Sequence, residues 1–150
     1  MIQEKSNYSI NNVITFRTTV LAPEVKMTLK EINDYIQSKG ALGAGNLIIA
    51  IHVLYMDTKM LDVEMIVPIN KPVASAENFN FLPVFEIKNC VMAHFEGTPY
   101  LLPNFYTEMH RWTENNGLKI KQPFYIVFTK EPDEIWGCDS IEADIYVNTH

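Results

Sequence analysis

The chain has 150 residues, a net charge of −6 and 47% hydrophobic residues, so it is long enough for one buried core and too short for two. Its acidity and the lack of a Lys/Arg cluster argue against direct binding of DNA or RNA, which needs cations for phosphate contacts. No apolar run approaches the ~20 residues of a membrane span, and no signal-peptide pattern is present. We therefore expect one cytoplasmic domain over residues 1–150, without membrane contact.

The first elements of the chain are a strand and a helix. Residues 1–12 are polar and are predicted to be a loosely held lead-in, whereas the β-branched residues over 13–20 predict a strand. Pro23 suits the first turn of a helix and Gly40 its end. The helix has an apolar stripe at steps of four, three and four, formed by Val25, Leu29, Ile32 and Ile36.

Two strands follow the helix. Residues 46–56 are apolar at almost every position, which is typical of a strand covered on both faces. Residues 60–69 alternate, which places Asp62 and Glu64 on one face and apolar residues such as Val63 on the other. Two acids therefore interrupt a face that is otherwise apolar.

The second half of the chain repeats this order after a linker without periodicity, residues 71–84. A long extended stretch leads to a helix that Pro103 opens and Gly117 ends, and two more strands follow. The buried stripe of this helix is predicted to be Leu102, Phe105, Tyr106, Met109 and Trp112.

The two halves can be superimposed with a shift of 80 residues, which places Pro23 on Pro103 and Ile32 on Trp112. The same shift brings the acid of the earlier strand onto an acid of the last strand. We interpret this as a duplicated β-α-β-β unit, and an ordinary ferredoxin-like α+β arrangement is the alternative. The two copies cover about residues 13–70 and 85–150.

A series of short motifs runs through the second half. They are, in chain order, Gly97-Thr98-Pro99-Tyr100, Tyr106, Trp112, Asn116-Gly117-Leu118, Pro123, Tyr125 and Asp144-Ile145-Tyr146-Val147-Asn148. In this order they resemble the GyrI-like small-molecule-binding domain, which is the effector-binding domain of AraC- and MerR-type multidrug-responsive regulators. The first half matches the other acidic strand of that family over residues 62–69.

The resemblance implies an α+β fold in which two pseudo-symmetric β-α-β-β repeats form one antiparallel sheet of about eight strands, with two main helices flanking a groove. In that family the groove binds bulky hydrophobic or cationic compounds, with an acid of the last strand as the main polar anchor. The sequence departs from the family at three positions. Asp144 replaces a Glu, Asn148 replaces a Pro, and Thr98 is inserted in the Gly-Pro-Tyr corner.

The predicted ligand-binding residues combine acids with aromatic rings. They are Glu64, Tyr100, Tyr125, Asp144, Tyr146 and Trp136. A carboxylate among apolar side chains is costly to desolvate unless a cation pairs with it. The faces of aromatic rings also attract cations. Alternatively, the acids pair with Arg17, Lys26 or Lys130 or face water, Tyr100 packs in the core, and Trp136 forms a lid or packs on the surface.

Metal and cofactor sites are not expected. The four histidines are spread along the chain with no cysteine or acid at ligand spacing, and no Gly-rich phosphate loop or nucleophile elbow is present. Cys90 and Cys138 are far apart in sequence, and we expect buried, reduced thiols.

Three functions are compatible with the sequence. The first is a stand-alone domain that senses or sequesters a hydrophobic or cationic compound, and it is not an enzyme. The second is a protein-interaction module of the gyrase-inhibitor or toxin-neutralising type, whose acidic surface meets a basic partner. The third is a hydrolase of strained electrophilic compounds that uses a groove acid. A groove filled by large side chains would favour the second over the first. The oligomeric state is not readable from the sequence.

Overall fold

The structure is a computed structural model that describes residues 2–55, 60–130 and 140–149. The elements in these ranges are β1 Ile2–Leu21, α1 Val25–Ser38, β2 Ile48–Tyr55, β3 Met60–Pro68, β4 Asn80–Gly97, α2 Leu102–Asn115, β5 Ile120–Phe128 and β6 Ile141–Thr149. A short 3₁₀ turn precedes each helix. The order β-α-β-β occurs twice along the described residues, and the α+β class is confirmed.

The strands form one antiparallel sheet that closes into a barrel in the order β1-β3-β2-β5-β6-β4. The described residues form six strands, so the expected count of about eight is wrong. The count is lower because β1 and β4 are long, and successive parts of each strand pair with different neighbours. β1 pairs with β4 through most of its length and with β3 from Val13 onward, and β4 pairs with β6 from Cys90 onward.

Residues 2–12 of the predicted lead-in are instead the first half of β1. Its backbone pairs with β4, with Ile2 opposite Ala93 and Ile10 opposite Phe85. A polar strand gains its stability from such pairing and from the apolar residues that it buries at every second position. Ile10 packs in this way against the core of the barrel.

An asparagine with positive φ marks the point where each long strand changes partner. Asn12 in β1 has a φ of 58° and Asn89 in β4 has a φ of 50°. Asparagine tolerates this left-handed conformation better than most residues, and one such residue bends a strand. The carbonyl of Asn12 accepts a hydrogen bond from the amide of Ile69 at 2.8 Å, so the bend is fixed to the end of β3.

The sheet has two apolar faces. The helix face packs against both helices and includes Val63 and Met65 of β3. The opposite face, which we name the inner face, buries residues from all six strands and none from the helices. Ile66 of β3 belongs to the inner face, so the predicted alternation of this strand is confirmed.

The helices bury equivalent positions on the helix face. These are Val25, Thr28, Ile32 and Ile36 in α1 and Leu102, Met109 and Thr113 in α2. Counted from the first helical residue, Ile32 corresponds to Met109, so the predicted superposition of Ile32 on Trp112 is wrong. Trp112 is partly buried and packs against the edge of this core. The buried hydroxyl of Thr113 is satisfied, because it donates a hydrogen bond to the Met109 carbonyl at 2.7 Å.

Gly117 ends α2 with a φ of 74°, and no atom lies within 4 Å of the position of a Cβ there. Gly117→Ala therefore adds backbone strain without a clash, and we expect it to lower the free energy of unfolding by about 1 kcal/mol. Gly43 is the matched control, since it also has open space but not a left-handed φ. Urea unfolding of Gly43→Ala should show a change within about 0.5 kcal/mol. Equal losses in the two variants would contradict this account.

Candidate functional site

Two rows of side chains cross the inner face from strand to strand. The first row is Arg17, Glu64, Ala50, Tyr125, Tyr146 and Met92, and the second is Thr15, Ile66, Ile48, Val127, Asp144 and His94. Cross-strand partners point to the same side of a sheet, so each row is a continuous line of neighbours. An acid lies near one end of the first row and near the opposite end of the second.

Four of the six predicted site residues are brought together by these rows. Glu64, Tyr125 and Tyr146 lie in the first row, and Asp144 lies in the second, two residues before Tyr146 on β6. Tyr100 lies apart from these rows, in the turn before α2, where it is 68% exposed, so the alternative that it packs in the core is wrong. Trp136 falls outside the described residues, as does Cys138, whereas the expected burial of Cys90 is confirmed.

Glu64 is the less satisfied of the two site acids. Its side chain is 30% exposed, and His52 Nε2 lies 3.8 Å from Glu64 Oε1. That nitrogen is buried and has no hydrogen-bond partner in the described part of the chain. Both groups therefore retain hydrogen-bonding capacity that another molecule can use.

A small residue separates Glu64 from the first tyrosine of its row. Ala50 pairs with Glu64 on one side and with Tyr125 on the other. Two strand intervals place these residues about 10 Å apart. Burial raises the pKa of Tyr125, and the negative charge of Glu64 raises it further. The charge of Glu64 therefore acts on the Tyr125 hydroxyl across Ala50.

Asp144 already holds a partner. The imidazole of His94 donates from Nδ1 to Asp144 Oδ1 at 2.9 Å, and its Nε2 lies 3.2 Å from Glu96 Oε1. The hydrogen bond to Asp144 raises the pKa of His94, and that to Glu96 raises it further. The charge of Asp144 is thus compensated within the protein.

Two of the cations considered as partners for the site acids bind other carboxylates. Arg17 donates to both oxygens of Asp62 at 3.3 and 3.2 Å. Lys130 lies 3.1 Å from Glu142. Their pairing with Glu64 or Asp144 is therefore not observed, and the carboxylate of Glu64 stays available.

The two site tyrosines are covered by the long strands. The rings of Tyr8 and Tyr146 lie 5.2 Å apart, and Phe85 meets Tyr125 edge-on at 5.7 Å. Tyr146 is 7% exposed. Burial and the nearby charge of Asp144 raise its pKa to about 12. The hydroxyl therefore stays protonated at neutral pH and can donate a hydrogen bond.

The groove predicted between the helices does not contain these tyrosines. Both helices pack on the helix face, whereas the tyrosines lie on the inner face.

Alternation along the strands would have revealed that His52 shares a face with Ala50. The contacts of Tyr8 and His94 could not be found in this way, because they depend on which strands pair and in which register.

A family model matches residues 9–149, described as a domain of unknown function, DUF5085. The chain belongs to the DUF5085 family. No curated protein matches the DUF5085 chain.

Solved structures of low sequence identity share the fold. The EcmrR C-terminal domain is 16% identical with a TM-score of 0.71, and the match covers all of this chain and 98% of that domain. In an EcmrR–DNA complex the match has 18% identity and a TM-score of 0.71 and covers 99% of this chain, which spans only 57% of the EcmrR chain. The DUF5085 chain thus has the same fold as the EcmrR C-terminal domain.

Two further structures show the same fold in proteins with other descriptions. A hydrolase from Listeria innocua is 10% identical, with a TM-score of 0.61 and coverage of 99% of this chain and 93% of the hydrolase. SAV2435 bound to tetraphenylphosphonium is 14% identical, with a TM-score of 0.50 and coverage of 100% of this chain and 93% of SAV2435.

No helix in the described part of the DUF5085 chain is long and apolar enough to cross a membrane.

Proposed function

We propose that this protein is a small-molecule-binding domain that senses or sequesters a bulky hydrophobic cation. The observation that carries the proposal is the Glu64 carboxylate, which accepts no hydrogen bond from the described residues and lies beside His52, in one row with Tyr125 and Tyr146. The fold shared with effector-binding domains supports it. So does the bound cation of SAV2435, which is an organic phosphonium.

The row supplies the two interactions that an organic cation requires. Glu64 offers a partly buried negative charge, and such a charge is stabilised by a bound cation more strongly than a fully exposed one. Tyr125 offers a ring face within the same row, which adds a cation–π contribution of about 0.5–2 kcal/mol. Because His94 compensates Asp144, we assign the main anchor to Glu64 and a secondary role to Asp144.

Access to the tyrosines requires movement of the side chains that cover them. Tyr8 and Phe85 occupy the space above Tyr146 and Tyr125. A ligand that displaces these rings would replace one aromatic contact with another. Its entry would therefore cost less than the opening of a purely aliphatic core.

Tetraphenylphosphonium is the probe for a direct test. We expect the melting temperature of the wild-type protein to rise with its concentration, because a ligand that binds only the folded state stabilises it. Glu64→Gln should weaken binding at least about tenfold, which corresponds to ~1.4 kcal/mol. Asp144→Asn should weaken it less. Titration calorimetry then measures the affinities.

The matched control removes two carboxylates from the exposed surface of α1. Glu31→Ala/Asp34→Ala changes the net charge as much as Glu64→Ala/Asp144→Ala does, but far from the rows. The control should bind like the wild type. Equal binding by the two double variants would refute the proposed anchor, and the absence of binding by the wild type would refute the function.

A protein-interaction module is the second candidate, and one observation favours it. The chain's own Tyr8 and Phe85 fill the space over the site tyrosines. Tyr8→Ala removes one of these covering rings. If organic cations bind neither the wild-type protein nor Tyr8→Ala, the covered face is a core, and the acidic surface becomes the better candidate for recognition.

A further inference from the structure

The pairing of β4 with β6 gathers four ionisable side chains at one edge of the inner face. His94 and Glu96 are separated by one residue on β4 and therefore point to the same side. Their cross-strand partners on β6 are Asp144 and Glu142, respectively. Two hydrogen-bonded strands hold all four positions, so their spacing is fixed by the sheet.

The distances among three of these side chains suit a metal ion. His94 Nε2 lies 3.2 Å from Glu96 Oε1 and 3.7 Å from Glu142 Oε1. All three donor atoms lie within 4.8 Å of one another. Donors bound to one Zn²⁺ at about 2.0–2.2 Å are separated by about 3.0–3.5 Å. Small side-chain movements would therefore give all three atoms a common ion.

The remaining contacts orient the donors toward that ion. Asp144 accepts the Nδ1–H of His94 at 2.9 Å. Metal-binding histidines almost always donate their second N–H to such a carboxylate, which fixes the tautomer and leaves Nε2 for the metal. Lys130 lies 3.1 Å from the Oε2 atom of Glu142, so the Oε1 atom of Glu142 faces His94.

We propose that His94, Glu96 and Glu142 bind a divalent transition-metal ion, with Zn²⁺ as the most suitable probe and Asp144 as the positioning residue. One imidazole with two carboxylates favours ions such as Zn²⁺ over Mg²⁺ and Ca²⁺, which prefer oxygen ligands alone. A histidine that binds a metal is neutral, so with the metal on His94 the three carboxylates face one lysine and leave a local negative charge that a divalent cation neutralises. Three protein ligands also leave a coordination position open for water or another molecule.

Spacing along the chain did not indicate this site. His94 and Glu96 are neighbours on one strand, but the third donor, Glu142, lies on a strand far away in sequence. The strand pairing that brings Glu142 to His94 is not visible in the sequence around any histidine. The metal site and the proposed ligand site share only Asp144, which is a secondary anchor for the ligand and orients His94 here. Neither Glu64 nor Tyr125 contributes to the metal site, so variants of Glu64 test the ligand function alone and variants of His94 and Glu96 test the metal site.

The test is calorimetric titration of tag-free protein with ZnCl₂ after removal of metals by a chelator. We expect one Zn²⁺ per chain and loss of this binding in His94→Ala. Glu96→Gln, at a side chain that is 69% exposed, keeps the fold intact and should weaken binding at least about tenfold. Asp144→Asn should weaken it by about 10- to 100-fold through the orientation of His94.

His110 provides the matched control. It lies 3.5 Å from Glu114 on the surface of α2, as a histidine–carboxylate pair without a third donor described beside it. His110→Ala should retain full Zn²⁺ binding. Substitution of Co²⁺ should give a visible absorption spectrum that disappears in His94→Ala. If Zn²⁺ does not bind at millimolar concentration, or binds equally well to His94→Ala, the four groups form only an ion-pair network and the proposal is wrong.

Discussion

Met109→Ala should lower the free energy of unfolding by about 2–5 kcal/mol. Met109 is fully buried at the centre of the contact between α2 and the helix face of the sheet. The truncation removes apolar surface from the core and leaves a cavity that the rigid sheet cannot fill. Urea or thermal unfolding measures the loss, provided that the transition is two-state.

Met27 is the matched control for this substitution. It lies on α1 and is 69% exposed, so Met27→Ala removes the same atoms from a side chain that buries little surface. We expect a change within about 0.5 kcal/mol. A loss in Met109→Ala no larger than that in Met27→Ala would mean that α2 does not depend on this contact.

Alkaline pH should destabilise the wild-type protein more than Tyr146→Phe. The pKa of Tyr146 is raised from 10.0 to about 12 in the folded protein, first by burial and then by Asp144. Above pH 10 the unfolded chain loses the phenolic proton while the folded protein still retains it. The stability that this shift contributes is thus complete below pH 10 and is lost as the pH rises to about 12.

The size of this effect is about 2–3 kcal/mol, since each pKa unit corresponds to ~1.4 kcal/mol. Tyr8 and Tyr125 have raised pKa values too, but they titrate in both proteins and cancel in the comparison. Unfolding free energies at pH 9, 10.5 and 12 give the difference. Tyr100→Phe, at a 68% exposed position, should follow the wild type. A constant gap between the wild type and Tyr146→Phe would contradict the raised pKa.

Local chemistry made the helices and the faces of β3 predictable. Pro23 and Pro103 mark the helix starts to within a few residues, and Gly40 and Gly117 follow the helix ends with a φ of 74° each. The alternation of β3 separates its acidic face from its apolar face without knowledge of any partner strand. These signals act within a few residues, so the sequence alone reveals them.

Strand pairing determined what the sequence could not show. Whether Asp144 faces His94 or another residue depends on the register of β4 and β6, and a shift of one residue would reverse every side chain. The polar composition of residues 2–12 concealed a strand, because the stability of that strand comes from its pairing with β4. The sequence therefore singled out Glu64 and Asp144 as site acids, whereas the side chains that contact them depended on strand pairing.

The pairing of Ile2 with Ala93 closes the barrel between two distant parts of the chain. Closure of so long a loop lowers the entropy of the chain before the contacts between the two strands can stabilise it. We therefore expect the first half of β1 to dock late in folding and to detach most readily from the native protein. Such detachment would uncover Tyr146 while both helices stay packed, and would give a bulky molecule a transient entrance to the inner face.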